Sequence, residues 1–251
     1  MLSVHLFPCL SDNYGFLLHD EESGETVAVD TPEAAVILRE AKGKGWVITQ
    51  IWNTHWHPDH AGGNAAVKEE TGCRIVAPAE VERISSISRL VADGDRVQIG
   101  RHDAQVFDVG GHTGGHIAYH LPNAEIAFVG DALFPLGCGR MFEGDADQYW
   151  QSLQRIRSLP PRTLLYCAHE YAAANARFAL HADPNNERLQ AYAAEIKELR
   201  ERHKPTVPTM LERELATNPF LRADEATMQE RWGGDTPAET FAALREAKNS
   251  F

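Results

Sequence analysis

The chain lacks several features that would each have named a class of protein. No run approaches the ~20 consecutive apolar residues that a membrane span requires. The opening Met1-Leu2-Ser3-Val4-His5-Leu6 has neither the basic start nor the apolar core of a secretory signal, which predicts a cytoplasmic protein with no membrane partner. Cysteine is sparse: Cys9, Cys73, Cys138 and Cys167 are far apart and form no CxxC pair, so buried thiols are expected. Basic residues are outnumbered, with 24 Lys and Arg against 36 Asp and Glu for a net charge of −12. A nucleic-acid partner is not expected of such a surface.

What remains is an ordinary composition, 43% hydrophobic and 24% charged over 251 residues. That length holds one large domain, or a larger and a smaller one. The acidity is uneven. Residues 1–170 carry 13 basic and 23 acidic side chains, and residues 171–251 carry 11 and 13. A small anionic substrate would therefore need a local basic site. A monomer is the expectation for the chain's own assembly.

Periodicity divides the chain near residue 171. Short β-type runs are expected at 3–8, 15–19, 26–30, 47–52, 74–77, 96–99, 104–109, 116–120, 125–129 and 163–167. Helices are expected at 32–42, from Asp59 as cap to Thr71, and at 146–159. Beyond Glu170 the pattern turns helical, at 171–181, 185–203, 209–217, 224–232 and 237–248. The prediction is an α/β domain, 1–170, followed by a smaller α-helical domain, 171–251.

Chemistry concentrates in Thr54-His55-Trp56-His57-Pro58-Asp59-His60, directly after a strand. Imidazole and carboxylate are common ligands in hydrolytic metal sites. Three His and one Asp so close together cannot all face one ion. His55 and His57 alternate and can share a first metal, whereas Asp59 and His60 start a helix and face a neighbouring position. Ion pairs about 3.5–4 Å apart recur in hydrolases. The competing interpretation is a polar surface turn. Its density, and further candidates at strand ends (His112, Asp131 and His169), favour a metal site. The other histidines are not expected to be ligands, His116 being the closest case.

The HxHxDH turn, Gly-His-Thr-x-Gly-His at 111–116, Asp131 and His169 resemble the metallo-β-lactamase superfamily. The resemblance implies an αββα sandwich. It also implies His55, His57 and His112 on one metal, Asp59, His60 and His169 on a second, and Asp131 bridging them. Two divalent ions follow, zinc first, with iron or manganese suiting the same donors. The lactamases of the superfamily generally carry cysteine where Asp131 stands, so antibiotic hydrolysis is not expected.

Gly137 to Gly144, Cys167-Ala168-His169-Glu170-Tyr171, Pro205 to Thr209, Asn218 to Arg222 and Arg245-x-x-Lys248-x-x-Phe251 are similar to the glyoxalase II, or hydroxyacylglutathione hydrolase, family. This likeness runs almost end to end. It implies hydrolysis of a glutathione thioester by a metal-bridging hydroxide, with Asp59 and Asp131 as catalytic carboxylates. Arg245 and Lys248 are i,i+3 neighbours on one helical face, where a guanidinium and an ammonium can clamp a carboxylate. The resemblance assigns them to the substrate's glycine carboxylate, with Arg140, Phe142 and Tyr171 beside it. Phe142 can stack but offers no hydroxyl where some relatives have Tyr. Gly110 replaces a proline often found there, which predicts a looser turn before His112. The rival expectations are a lactonase, a persulfide dioxygenase with one iron, and a non-catalytic metal-binding protein.

Overall fold

Strand β1 (Leu2–Cys9) folds back on β2 (Asn13–Asp20), with Leu2 opposite Asp20 and Cys9 opposite Asn13. Every residue of β2 is buried, because it lies between β1 and β3 (Thr26–Val29) with packed layers on its faces. The structure, a computed structural model, describes residues 1–251. The chain gathers into two units: Met1–Asp108 with Gly115–Gly130, and Val109–Gly114 with Asp131–Phe251.

In the first unit, helix α1 (Ala34–Lys44) crosses from β3 to the parallel β4 (Ile48–Trp52). Gly45 ends α1 in the left-handed conformation, at φ 71°, and its N–H returns to Ala41 and Lys42. Short helices α2 (Pro58–Ala61) and α3 (Asn64–Thr71) then carry the chain to β5 (Arg74–Ala77). With β6 (Arg89–Leu90) this makes a six-stranded sheet in the order β1-β2-β3-β4-β5-β6, parallel from β3 onward. A second, antiparallel set follows: β7 (Arg96–Ile99), β8 (His102–Asp108), β9 (Ile117–Leu121) and β10 (Ile126–Gly130). Aromatic pairs join the two sets face to face. Trp52 of β4 stacks on Tyr119 of β9 at 5.2 Å, and Phe16 meets Phe128 edge-on at 5.6 Å.

The expected single helix from Asp59 to Thr71 is instead two. Pro58 supplies the first helical position, where its missing N–H costs nothing, so Asp59 sits inside α2 and caps nothing. Gly62 and Gly63 separate α2 from α3, and Gly63 lies so close to the Thr31 backbone that an added Cβ would be 2.6 Å from the Thr31 carbonyl. Asp59 is thereby left available for other work.

The second unit opens on a small ribbon, β11 (Leu133–Phe134) with β12 (Gly137–Cys138), followed by α4 (Ala146–Arg157) and β13 (Leu164–Cys167). Helices α5 (Ala172–Ala182) and α6 (Glu187–Glu201) pack through Ala176, Ala179, Leu189, Tyr192 and Ile196. The expected helix at 209–217 is also split. Thr209–Met210 forms β14 against β13, and α7 (Leu211–Thr217) starts only after it. Helices α8 (Ala226–Trp232) and α9 (Pro237–Ser250) complete the unit. Thr236 and Glu239 form a reciprocal capping box at the start of α9. No helix is long and apolar enough to cross a membrane.

Candidate metal centre

Parallel strands β3 and β4 end side by side, which delivers Asp30 and the Asn53–His60 turn to one edge of the first sheet. Loops at such strand ends are where rigid sheets commonly present functional groups. Asp30 accepts from the Thr54 N–H at 2.8 Å, the Thr54 hydroxyl at 2.8 Å and His60 Nδ1 at 2.9 Å. With its proton given to Asp30, Thr54 Oγ1 accepts from His55 Nδ1 at 3.0 Å. One ring nitrogen of each of these two histidines is thus tied back to the protein, which fixes the other as the outward-facing donor.

His55 Nε2 lies 3.0 Å from His57 Nδ1, near the separation expected when two nitrogens each sit about 2.0–2.1 Å from one zinc. Asp59 Oδ2 lies 3.5 Å from His60 Nε2 and accepts from Asn13 Nδ2 at 3.1 Å. Asp30, His55 and His60 also bring one donor atom each within 4.8 Å of one another. The His116 ring stacks on that of His55 at 4.5 Å and 18°.

The second unit gathers His112, Asp131 and His169 by itself. Asp131 points one oxygen at each ring, Oδ2 being 3.4 Å from His112 Nε2 and Oδ1 3.4 Å from His169 Nε2. His112 Nδ1 donates to the Arg140 carbonyl at 2.8 Å. The Gly110 turn is fastened rather than loose, because its carbonyl accepts the Ser152 hydroxyl at 2.6 Å. Gly111 has φ 139° and rests on Tyr149, whose hydroxyl donates to the Ala132 carbonyl at 2.9 Å beside Asp131.

This donor set fits divalent hydrolytic metals: imidazole nitrogens and carboxylate oxygens, without thiolate. The four thiols are buried, and burial pushes each of them up, Cys9 to about 12. Burial thereby favours the neutral thiol over the thiolate in each.

Five residues expected to hold substrate all belong to the second unit. Phe142, 62% exposed, meets the His112 ring edge-on at 5.3 Å. Tyr171 stacks on His169 at 4.7 Å, and the Arg140 side chain is exposed. Arg245 is only 4% exposed; its guanidinium donates to the Cys138 carbonyl at 2.9 Å and lies over the Phe220 ring. Lys248 Nζ donates to the Ala174 carbonyl at 3.2 Å. Burial, reinforced by the charges of Arg245 and Arg177, brings its ammonium down to about 8.

Sequence reasoning missed Asp30, Asn13 and Tyr149. Asp30 carried one usable signal, an acid ending a β-branched run; the structure places it at φ 57°, where Asp tolerates the left-handed region. Nothing local marked the other two.

The C-terminal residues 170–251 match the model of the hydroxyacylglutathione hydrolase C-terminus, and residues 21–169 match that of the metallo-β-lactamase superfamily. Two relatives named hydroxyacylglutathione hydrolase align over the whole chain. The one from Erythrobacter litoralis is 66% identical, covering all of both chains; the one from Hyphomonas neptunium is 55% identical, covering 100% of this chain and 99% of its own. The chain belongs to the hydroxyacylglutathione hydrolase family. Among solved structures, ETHE1 from Myxococcus xanthus aligns with a TM-score of 0.68 at 25% identity, covering 100% of this chain and 99% of that one. A metallo-β-lactamase from Staphylococcus aureus aligns at 0.68 and 19% identity, over 99% of this chain and 71% of its own, a likeness of fold alone. Members of the family are thioester hydrolases, and this chain is one: a metallo-β-lactamase-fold domain followed by a helical C-terminal domain, with His and Asp groups suited to divalent metals.

Proposed function

We propose that the chain hydrolyses the thioester of S-(2-hydroxyacyl)glutathione, chiefly S-D-lactoylglutathione, to glutathione and D-lactate, the second step of methylglyoxal detoxification. The observation that carries the substrate is the full-length identity of 66% to a hydroxyacylglutathione hydrolase. The chemistry draws support from Asp131, whose two oxygens face His112 and His169. We assign His55, His57 and His112 to one ion, Asp59, His60 and His169 to a second, and Asp131 to both. Residues 1–170 form the catalytic domain in this reading and residues 171–251 the substrate-binding one, in a cytoplasmic monomer.

Zinc is the first choice for both ions, which when bound acidify water near neutral pH and oppose charge developing on the thioester oxygen. The remaining work falls to side chains. Asp59, steadied by Asn13, orients the attacking water and accepts its hydrogen bond. A thiol with a pKa of about 8.5 departs as thiolate, so no general acid is required. Arg140, Tyr171, Arg245 and Lys248 hold the glycine carboxylate of the leaving thiol, and Phe142 offers a face that stacks on the substrate.

Turnover of S-D-lactoylglutathione, measured beside bound-metal content, tests the reading. Thiol release with two ions per chain is the expected result. Oxygen consumption on a glutathione persulfide with one iron per chain, or lactone hydrolysis without thioesterase activity, overturns it.

A further inference from the structure

The parallel strands that end at the metal ligands begin at the opposite edge of the first unit, and that edge holds a cavity of about 500 Å³. Its wall is built from Arg74 at the start of β5, Arg89 of β6, Arg96 and Gln98 of β7, with Gln50, Glu25 and Asp103 completing it. Three exposed arginines line it in a chain of net charge −12.

The hydrogen bonding is unusual for so acidic a protein. Arg89 donates only to a backbone carbonyl, that of Arg96, at 2.7 Å, which holds its fork over the neighbouring strand. Arg74 and Arg96 form no ion pair. Two carboxylates stand in the same wall, yet both are turned to neutral donors. Glu25 accepts the Gly100 N–H at 2.9 Å, and Asp103 accepts the Gln98 amide at 2.6 Å. The floor is rigid, since buried Gln50 donates to the Gln98 carbonyl at 2.9 Å and accepts from Trp52 Nε1 at 3.1 Å. Glu25 and Asp103 keep their charge while bonded to these neutral donors, so the wall holds three positive and two negative groups, and an anion that bridges the guanidiniums engages N–H donors the two carboxylates do not. Arginine forks suit this, because each offers paired N–H donors to an oxyanion.

We propose that this cavity is a binding site for a small, multiply charged anion, held by Arg74, Arg89 and Arg96. Phosphate monoesters and polycarboxylates share the required chemistry. None of its lining residues is assigned to catalysis or substrate binding, so the inference stands whether or not the thioester reading does.

The test is calorimetric titration of the full-length, metal-loaded protein at low ionic strength, with inorganic phosphate in one arm and tricarballylate in the other. The variants are the double substitution Arg74→Ala/Arg96→Ala and, separately, Arg140→Ala. Saturable one-site binding is expected in at least one arm, which identifies the oxyanion class. The double substitution should weaken it at least tenfold, added salt should weaken it further, and R140A should leave it unchanged. Thioester turnover should be unaltered by the double substitution, which confirms that the variant folds. Absence of saturable binding in both arms overturns the proposal. So does binding that survives the double substitution and is lost in R140A, because the anion then occupies the substrate cations.

Discussion

Asp30 lies 2.9 Å from His60 Nδ1, and the same carboxylate receives both the backbone and the hydroxyl of Thr54. One acid thereby orients His60 directly and His55 through Thr54. Such partners commonly contribute about 10–100-fold to metal affinity. Asp30→Ala should cost that much in retention of metal under chelator competition, with kcat recovering when excess metal is supplied. Unchanged metal retention would show that the contact is only structural.

Asp59 is held by Asn13 and sits 3.5 Å from His60 Nε2. Asp59→Ala should abolish thioesterase turnover. Near-normal kcat with full metal loading, measured on the same sample, sinks its assignment as ligand and orienting base.

Gly111 has φ 139°, and a Cβ there would lie 2.3 Å from Tyr149 Cγ. Gly111→Ala should destabilise the protein by about 1–3 kcal/mol through overpacking and backbone strain. It should also lower activity, since Tyr149 anchors the backbone at Asp131 and Ala132. Gly114→Ala is the control: its nearest neighbour is the flexible Glu143 carboxylate at 3.2 Å, so thermal melting should barely move.

Lys248 titrates near 8 rather than 10.5, chiefly through burial and then through Arg245 and Arg177. Its folded pKa is below the unfolded one, so its protonated form weakens the fold. That penalty is fully present below about 8 and disappears as pH rises toward 10.5, so this group makes stability rise across that window. The substrate role proposed for it predicts the opposite trend. KM for the thioester should climb as pH rises past about 8, with kcat little affected. Lys248→Arg should flatten that rise, because a guanidinium stays charged.

Glu214 is fully buried and accepts from Thr209, Tyr192, Asn218 and the Leu136 N–H. It fastens α7 to the β11–β12 ribbon. Glu214→Ala leaves four donors without their acceptor and should cost roughly 3 kcal/mol or more in denaturant unfolding.

Local pattern carried much of this molecule. Strand positions 74–77 and 96–99 follow from short runs between polar turns, and α9 follows from Thr236, Pro237 and Glu239. His55, His57, Asp59 and His60 stand out as candidate ligands because ligand chemistry is a property of residue type, and a strand ending in HxHxDH gathers those types in one turn. The 59–71 helix and the 209–217 helix were misread where long-range contacts intervened: Gly63 against Thr31, and Thr209 pairing with Leu165. The loose turn expected at Gly110 fails for the same reason, since its anchor Ser152 lies 42 residues away.

The sequence by itself determined the donor types, the strand-end positions that present them, and the family to which the chain belongs. Tertiary structure alone decided how those donors are held. Asp30 reaches His60 because parallel pairing of β3 with β4 sets their ends side by side, and no local spacing encodes that register. It likewise turned Arg245 into a buried group bonded to Cys138, and it assembled Arg74, Arg89 and Arg96 around one cavity from separate strands. Charge and ligand chemistry reside in the residue; orientation and desolvation arise only when distant segments meet.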